Sequence, residues 1–245
     1  MLEARAVSIA ARLHDCSLAL RPGQVTAICG PNGAGKSTLL HALAGLLRPA
    51  SGTVMLEGRP LSAIAAADRA RTIGFLPQGG DAAWNLSVRT LVGLGRLPHR
   101  SSPAEDARCI DAALDALSLA HLQDRPVHSL SGGERARAML GRVLAGDPRV
   151  VLADEPFASL DLAHQVALMG HLRALADEGR TVALVVHDLA LAANHADSVA
   201  VLHKGRIAEH GAPDSALAPA VIARIWGIRA VWLGAPGRRA LSIEG

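Results

Sequence analysis

The fold of this chain follows from one stretch of its sequence, Val25-Thr26-Ala27-Ile28-Cys29-Gly30-Pro31-Asn32-Gly33-Ala34-Gly35-Lys36-Ser37. The first five residues are apolar or β-branched and follow a Pro-Gly pair, which predicts a short, buried strand of a parallel sheet. The last eight fit the pattern G-x-x-x-x-G-K-[ST], and leucines spaced along Ser37–Leu47 predict a helix directly after it, closed by Pro49. Strand, glycine loop and helix together predict a phosphate-binding loop.

The chemistry of this loop assigns a task to each residue type. Glycines let backbone N–H groups turn inward around phosphate oxygens, and the helix adds its N-terminal dipole. We expect Lys36 to neutralise the β- and γ-phosphates of a nucleotide, and Ser37 Oγ to bind Mg²⁺. The strand-to-helix context argues against a glycine-rich turn that holds a lysine by chance. The predicted nucleotide-binding residues are Gly30, Pro31, Asn32, Gly33, Ala34, Gly35, Lys36, Ser37 and Thr38.

The rest of the chain predicts an α/β protein. Apolar strands alternate with helices at both ends of the sequence, which predicts a parallel sheet with right-handed crossovers. The middle is mostly helical, so we predict one domain in which a helical lobe, residues 81–146, is inserted into a nucleotide-binding core of residues 1–80 and 147–245. The further predicted elements are strands in 1–29 and at Thr53–Glu57, Ile73–Leu76, Val150–Ala153 and Thr181–Val186, and helices at Pro103–Leu119 and Leu162–Glu178.

Composition and charge exclude several classes of protein. Apolar residues make up 50% of the 245 positions, yet no run reaches about 18 apolar residues, which excludes a transmembrane helix. No continuous apolar stretch follows Met1, so we expect no secretory signal. The net charge of +3 is too small to indicate a nucleic-acid binder. The three separated cysteines, Cys16, Cys29 and Cys109, predict buried thiols in a reducing compartment.

Two acids end a second buried strand, in the stretch Val150-Val151-Leu152-Ala153-Asp154-Glu155. In enzymes with such a phosphate loop, the first acid holds Mg²⁺, usually through water, so we expect this role for Asp154. Strand alternation points the two carboxylates in different directions, and we expect Glu155 to polarise the water that attacks the γ-phosphate. A helix N-cap is the alternative, but it accounts for one acid only.

A third stretch, Leu130-Ser131-Gly132-Gly133-Glu134, precedes a predicted helix at Arg135–Leu144. Ser131 is a suitable N-cap, and the two glycines expose helix N–H groups, which predicts a second anion site. One nucleotide does not need two such sites in one chain. The simplest interpretation is a head-to-tail dimer that closes over two ATP molecules, and an ordinary helix cap is the alternative.

These stretches together resemble the ATP-binding cassette (ABC) ATPases, over almost the whole chain. The resemblance implies a P-loop NTPase (RecA-like) core with N-terminal antiparallel β strands and an inserted α-helical subdomain. It also implies ATP hydrolysis with ATP and Mg²⁺ as cofactors. The matching motifs, in the order of the family, are the Walker A loop (Gly30–Ser37), the Q-loop glutamine (Gln78), the signature motif (Leu130–Glu134), Walker B (Val150–Glu155), the D-loop (Ser159-Leu160-Asp161) and the switch histidine (His187).

The resemblance implies a role for each matched residue. Gln78 senses Mg²⁺ and water and links them to the helical lobe, while His187 contacts the γ-phosphate and orders the water with Glu155. Asp161 communicates across the dimer. The implied catalytic residues are Glu155, His187, Gln78 and Lys36, the implied Mg²⁺ ligands are Ser37, Gln78 and Asp154, and the residues implied to bind the nucleotide of the second copy in trans are Ser131, Gly132, Gly133 and Glu134.

One feature departs from the family pattern. These ATPases usually stack an aromatic side chain, often Tyr, on adenine just upstream of Walker A. This chain has no Tyr, and residues 1–29 contain neither Phe nor Trp. Arg12, Leu13 or His14 could cover the ring instead, by cation–π, apolar or imidazole contact, and the adenine contact stays open.

The segment Gly79–Arg100 narrows the class of transporter. Its run Gly95-Arg96-Leu97-Pro98-His99 is similar to ATPases of importers for ferric siderophores, haem and cobalamin. In this family the segment contacts the membrane subunit, and Trp84 is equally well explained as a core residue or as an anchor in that contact. The resemblance implies two copies of this chain with two polytopic permease subunits at the cytoplasmic face of the inner membrane, an extracytoplasmic binding protein as an indirect partner, and no nucleic acid.

The sequence leaves other functions open. One is an ABC ATPase of an exporter or of a different nutrient importer; another is a cassette that acts on ribosomes or DNA. Cassette ATPases that act on ribosomes or DNA usually carry two cassettes or a long coiled-coil insertion. A small-molecule kinase built on the same phosphate loop is a further alternative, but it would not need the signature motif. The tail, residues 222–245, predicts a helix end and a strand that either pairs with the N-terminal strands or contacts the second subunit.

Overall fold

The computed structural model describes residues 1–79, 86–158 and 160–244; Trp84 and Ser159 lie outside the described residues. The strands are β1 (Leu2–Ile9), β2 (Leu13–Leu20), β3 (Val25–Cys29), β4 (Ser51–Leu56), β5 (Arg59–Pro60), β6 (Ile73–Leu76), β7 (Val150–Asp154), β8 (Thr181–Val185), β9 (Ser198–His203), β10 (Arg206–Gly211), β11 (Arg229–Leu233) and β12 (Ala240–Glu244). The α-helices are α1 (Lys36–Leu43), α2 (Ala66–Thr72), α3 (Val88–Gly93), α4 (Pro103–Ala116), α5 (Gly132–Ala145), α6 (Leu162–Asp177), α7 (Leu189–His195), α8 (Pro213–Ala216) and α9 (Pro219–Trp226).

A mostly parallel sheet forms the centre of the protein, with the strand order β10-β9-β3-β8-β7-β6. Strand β3 is buried along its whole length and pairs in parallel with β8 and β9, as predicted for Val25–Cys29. Its alternate side chains Val25 and Ala27 pack into one hydrophobic cluster, and Ile28 packs into the other. Because β3, β6, β7 and β8 run parallel, the residues that follow them share one edge of the sheet.

An antiparallel sheet with the order β2-β1-β4-β5 lies beside the parallel one, as the resemblance implied. Helix α1 contributes buried Leu39, Leu40 and Leu43 to the cluster that also contains residues of both sheets. The prediction that this helix extends to Leu47 was wrong. Gly45 adopts a left-handed φ of 71° just after α1, which ends the helix and leaves Leu46 and Leu47 outside the core.

Helices α3, α4 and α5 fall within the predicted helical lobe and share one buried cluster with the parallel sheet. Helix α5 begins at Gly132, three positions before the predicted start at Arg135, because the Ser131 cap lets the two glycines form its first turn. The exact division into residues 1–80, 81–146 and 147–245 stays a prediction.

The C-terminal segment forms its own hairpin. Strand β11 pairs with β12, so the expected alternative of pairing with the N-terminal strands was wrong. Trp232 Nε1 donates a hydrogen bond to the Leu217 carbonyl at 2.8 Å and fastens the hairpin to the core.

Cys16 and Cys29 are buried as predicted, whereas Cys109 is only half-buried. Across the described ranges, none of the helices combines the length and apolar character needed to cross a membrane.

Candidate active site

The phosphate loop joins β3 to α1 and depends on glycine at two points. Gly30 has a φ of 145°, and a Cβ there would lie 2.2 Å from the Leu202 carbonyl oxygen. Gly35 has a φ of 101°, and a Cβ there would lie 2.8 Å from Leu13 Cδ2. Both the backbone conformation and the close packing therefore exclude side chains at these positions. The loop ends at Lys36, the first residue of α1, as the pattern predicts.

Lys36 lies inside this loop and is only 6% exposed. Its Nζ donates hydrogen bonds to the carbonyl oxygens of Gly30 at 2.9 Å and Pro31 at 3.1 Å. Burial lowers the pKa of Lys36, while the negative charges of Glu155 and Asp154 act in the opposite direction. The ammonium group is thus held at the centre of the loop, beside both predicted carboxylates.

The two side-chain oxygens predicted to bind Mg²⁺ are in contact with each other. Ser37 Oγ donates to Asp154 Oδ1 at 3.0 Å, and burial raises the pKa of the Asp154 carboxyl although this hydrogen bond opposes the shift. His41 Nε2 lies 3.9 Å from Asp154 Oδ2. The sequence analysis did not identify His41, but its i+4 spacing from Ser37 places both on one helix face. Hydroxyl and carboxylate oxygens are the donors that Mg²⁺ prefers, so the pair fits that ion.

Glu155 is held from two sides. Gln78 Nε2 donates to Oε2 at 2.6 Å, and His187 Nε2 donates to Oε1 at 2.7 Å. Strand β7 ends at Asp154, and Glu155 has a left-handed φ of 48°, so this turn rather than strand alternation separates the two carboxylates. The next helix is capped by Asp161, which excludes the N-cap alternative for Asp154 and Glu155. The structure thus brings together Gln78, Glu155 and His187, which the sequence placed far apart.

A cavity of about 360 Å³ opens beside Glu155. Its lining includes Gln78, Ala158, Leu160 and, from the first turn of α5, Gly132. Within the portion of the chain that the structure describes, no group of three or more His, Cys, Asp or Glu residues could hold a metal ion by itself. A cation near Ser37 would therefore complete its ligand shell with phosphate oxygens and water.

The signature stretch forms the start of α5, in a turn that we call the signature turn (Ser131–Glu134). Ser131 Oγ accepts the Glu134 N–H at 3.3 Å, and Glu134 Oε2 accepts the Ser131 N–H at 2.8 Å, which is a capping box. That N–H lowers the pKa of Glu134. Among the hydrogen bonds of the described residues, none joins this turn to the phosphate loop of the same chain. The trans role predicted for the turn stays a prediction.

The structure narrows the candidates for the adenine contact and gives Asp161 a structural role. Leu13 is buried at 1% exposure, which removes it as a cover for adenine and leaves the exposed Arg12 and His14. Asp161 caps α6, since its Oδ1 accepts the backbone N–H of His164 at 2.9 Å. This hydrogen bond also lowers the pKa of the Asp161 carboxyl. Asp161 therefore has a structural task within one chain, and its part in dimer communication stays a prediction.

The run Gly95-Arg96-Leu97-Pro98-His99 has an internal role that the sequence analysis missed. Arg96 is 6% exposed; its Nη1 donates to the Ala145 carbonyl at 3.1 Å and its Nε to Asp106 Oδ1 at 2.8 Å. His99 Nε2 donates to the Gly146 carbonyl at 3.1 Å. These two residues, which we call the α5 clamp, hold the C-terminal end of α5. Leu97, between them in sequence, is 77% exposed.

A P-loop ATPase is the class of protein that this fold and this site define. The family model described as ABC transporter matches residues 13–158, and the chain belongs to that family. It is 43% identical to the hemin import ATP-binding protein HmuV of Pseudomonas putida, over 88% of this chain and 87% of that protein. The chain is thus an ATPase of the ABC importer type.

Solved structures agree with this assignment. An inward-facing metal-chelate type ABC transporter matches with a TM-score of 0.85 and 26% identity, over 99% of this chain and 96% of that one. A bacterial ABC transporter cassette solved as a dimer matches with a TM-score of 0.77 and 25% identity, over 87% of this chain and 99% of that one.

Proposed function

We propose that this ATPase powers the uptake of a metal chelate, with haem as the first candidate and ferric siderophores and cobalamin as the other two. The similarity to a hemin import protein over most of both chains supports the cargo class. The observation that supports the enzymatic part best is the Glu155 carboxylate, which is held between Gln78 and His187 and faces a cavity large enough for water.

In the proposed reaction, Glu155 is the general base toward the water that attacks the γ-phosphate. Gln78 and His187 orient its two carboxylate oxygens, and Lys36 neutralises phosphate charge from inside the loop. Mg²⁺ would be held by Ser37 and Asp154, with Gln78 nearby, and would supply further charge neutralisation. When ATP binds, Lys36 would exchange its hydrogen bonds to the Gly30 and Pro31 carbonyls for phosphate oxygens, and the Ser37–Asp154 hydrogen bond would open to admit the ion.

A second copy of the chain completes the site in this proposal. The capped N-terminus of α5 is suited to bind an anion, yet it makes no hydrogen bond to its own phosphate loop among the described residues. We therefore assign Ser131, Gly132 and Gly133 to the γ-phosphate of the partner's nucleotide in a head-to-tail dimer. Glu134 belongs to the same nucleotide site and caps the turn through the Ser131 N–H. A related cassette solved as a dimer supports this arrangement. ATP binding would close the dimer, and hydrolysis would open it.

Permease subunits are the membrane partner in this proposal. A groove of about 340 Å³ is lined by Phe75, Leu94, Pro98, Arg142 and the exposed Leu97. Leu94, Leu97 and Pro98 belong to the segment for which the resemblance implies contact with the membrane subunit. The chain would then work at the cytoplasmic face of the inner membrane, and an extracytoplasmic binding protein would deliver the chelate.

The first experiment is affinity capture of tagged Glu155→Gln protein from detergent-solubilised membranes with MgATP, read by mass spectrometry. A polytopic permease at equal stoichiometry supports the proposal, and Leu97→Asp should lose that permease while still binding ATP. Reconstitution with the captured permease then compares ATPase stimulation by haem, a ferric siderophore and cobalamin. Capture of ribosomal proteins or DNA instead would contradict the transport function.

A further inference from the structure

The imidazole of His164, in the first turn of α6, lies directly against Gly133 of the signature turn. A Cβ on Gly133 would lie 1.9 Å from His164 Cδ2 and 2.3 Å from His164 Nε2, far inside any real contact. Gly133 itself is part of the regular helix α5, so its backbone conformation does not demand glycine. The ring of His164 is therefore what excludes a side chain at position 133.

Asp161 fixes the orientation of this ring. His164 Nδ1 lies 2.6 Å from Asp161 Oδ1, and the same oxygen accepts the backbone N–H of His164 at 2.9 Å. Because an ionised carboxylate only accepts hydrogen bonds, Nδ1 carries the hydrogen. The imidazole is thus held by Asp161 on one side and contacts Gly133 on the other.

The contact joins two segments that both line the cavity beside Glu155. One segment comprises residues 155–158 and 160–161. In it the Ala158 N–H donates to the Glu155 carbonyl at 3.1 Å, and Gln165 Nε2 donates to the Leu160 carbonyl at 3.0 Å. The other segment is the signature turn, whose Gly132 lines the same cavity. His164 therefore connects the segment that carries the proposed general base with the turn proposed to bind the partner's nucleotide.

We propose that His164 is a positioning residue that joins Asp161 and the signature turn of one subunit into a single dimer-facing surface. The inference rests on the head-to-tail dimer of the proposed function. With the ring in place, the turn and Asp161 keep a fixed relation and reach the partner subunit together. Without it, dimer closure must also fix the position of the turn relative to Asp161, which costs free energy at the moment of association.

The first test uses the Glu155→Gln protein and measures the dimer fraction against ATP concentration by analytical ultracentrifugation. Adding His164→Ala should raise the ATP concentration at half-maximal dimer by about fivefold or more, the size of a typical coupling between contacting residues. Nucleotide affinity of the monomer, measured with a fluorescent ATP analogue at low protein concentration, should not change. His171→Ala is the matched control, since it lies seven positions further along α6, about 10 Å away.

The second test probes the contact itself through thermal unfolding. Gly133→Ala should lower the Tm because its methyl group meets the ring, and Gly133→Ala combined with His164→Ala should regain most of the loss. The proposal is overturned if the His164→Ala protein dimerises like the wild type. It is also overturned if Gly133→Ala leaves the Tm unchanged, or if His164→Ala lowers both the Tm and the nucleotide affinity of the monomer. If Glu155→Gln alone fails to dimerise with ATP, the dimer of the proposed function fails instead.

Discussion

The hydroxyl of Ser37 donates a hydrogen bond to Asp154 Oδ1 at 3.0 Å, although 117 residues of sequence separate the two. Ser37 lies in the first turn of α1, and Asp154 is the last residue of β7. The contact therefore joins the phosphate loop to the acid of a strand elsewhere in the same sheet. It places together two oxygen atoms of the kinds that Mg²⁺ prefers.

Replacing Ser37 by Ala should raise the Mg²⁺ concentration required for ATP hydrolysis by about 10- to 100-fold, because one oxygen donor of the cation is lost. ATP binding measured without Mg²⁺ should change little. Ser37→Thr keeps the hydroxyl and serves as the matched control. An unchanged Mg²⁺ requirement in Ser37→Ala would contradict the assignment.

Glu155→Gln should lower kcat by about 10²- to 10⁴-fold while leaving ATP binding intact, because the amide cannot accept a proton from water. His187 can still donate to the amide oxygen, and Gln78 can turn its own amide to accept from the new NH₂ group, so the site should keep its shape. Steady-state ATPase assays and equilibrium nucleotide binding measure the two effects. Normal turnover of this variant would remove Glu155 from the role of general base.

Ser131→Arg should leave nucleotide binding by the monomer unchanged but block dimer closure, since the larger cation occupies the place proposed for the partner's γ-phosphate. The loss of the cap adds about 1 kcal/mol of destabilisation, which must be separated from the effect on the dimer. Ser102→Arg is the matched control, because Ser102 caps α4 through the Glu105 N–H at 3.2 Å. Loss of ATP binding by the Ser131→Arg monomer would argue against a role in trans.

Arg96→Ala should destabilise the protein by about 2–4 kcal/mol, because it removes a buried cation that bonds to Asp106, Ser101 and the Ala145 carbonyl. Urea unfolding monitored by circular dichroism measures the loss. Arg224→Ala removes an exposed ion pair with Glu209 and should stay within about 0.5 kcal/mol of the wild type. Equal stability of Arg96→Ala and Arg224→Ala would show that Arg96 does not stabilise the protein.

The stability of the protein should fall on acidification partly through His99. Burial, followed by the charge of Arg96, lowers the pKa of His99 from its usual value of 6.5. Between the lowered pKa and 6.5, the unfolded chain binds more protons at this histidine than the folded protein does, so stability falls as the pH falls through that range. The drop in Tm from about pH 7.5 to about pH 5.5 should be smaller in His99→Gln than in the wild type. An identical drop in both proteins would contradict this account.

The sequence by itself determined those structural features that depend on interactions between residues close together in the chain. The glycine spacing of the phosphate loop, the buried strand Val25–Cys29 and the Ser131 cap each depend on residues a few positions apart, and all three occur as predicted. The burial of Leu13, which was one candidate to cover adenine, depends on packing against Gly35 and was not visible in the sequence. Likewise, α1 stops at Gly45 because a left-handed turn is available there, although the leucine pattern continues.

Only the tertiary structure decided which distant side chains meet. His41 lies beside Asp154, Arg96 turns inward to the end of α5, and His164 fills the space above Gly133. Each of these contacts depends on how two separate elements pack and on which rotamer the packing leaves open, and no local spacing encodes that. The motifs therefore determine what chemistry the chain can perform, and the packing of α1, α5 and α6 around the parallel sheet decides which residues hold that chemistry in place.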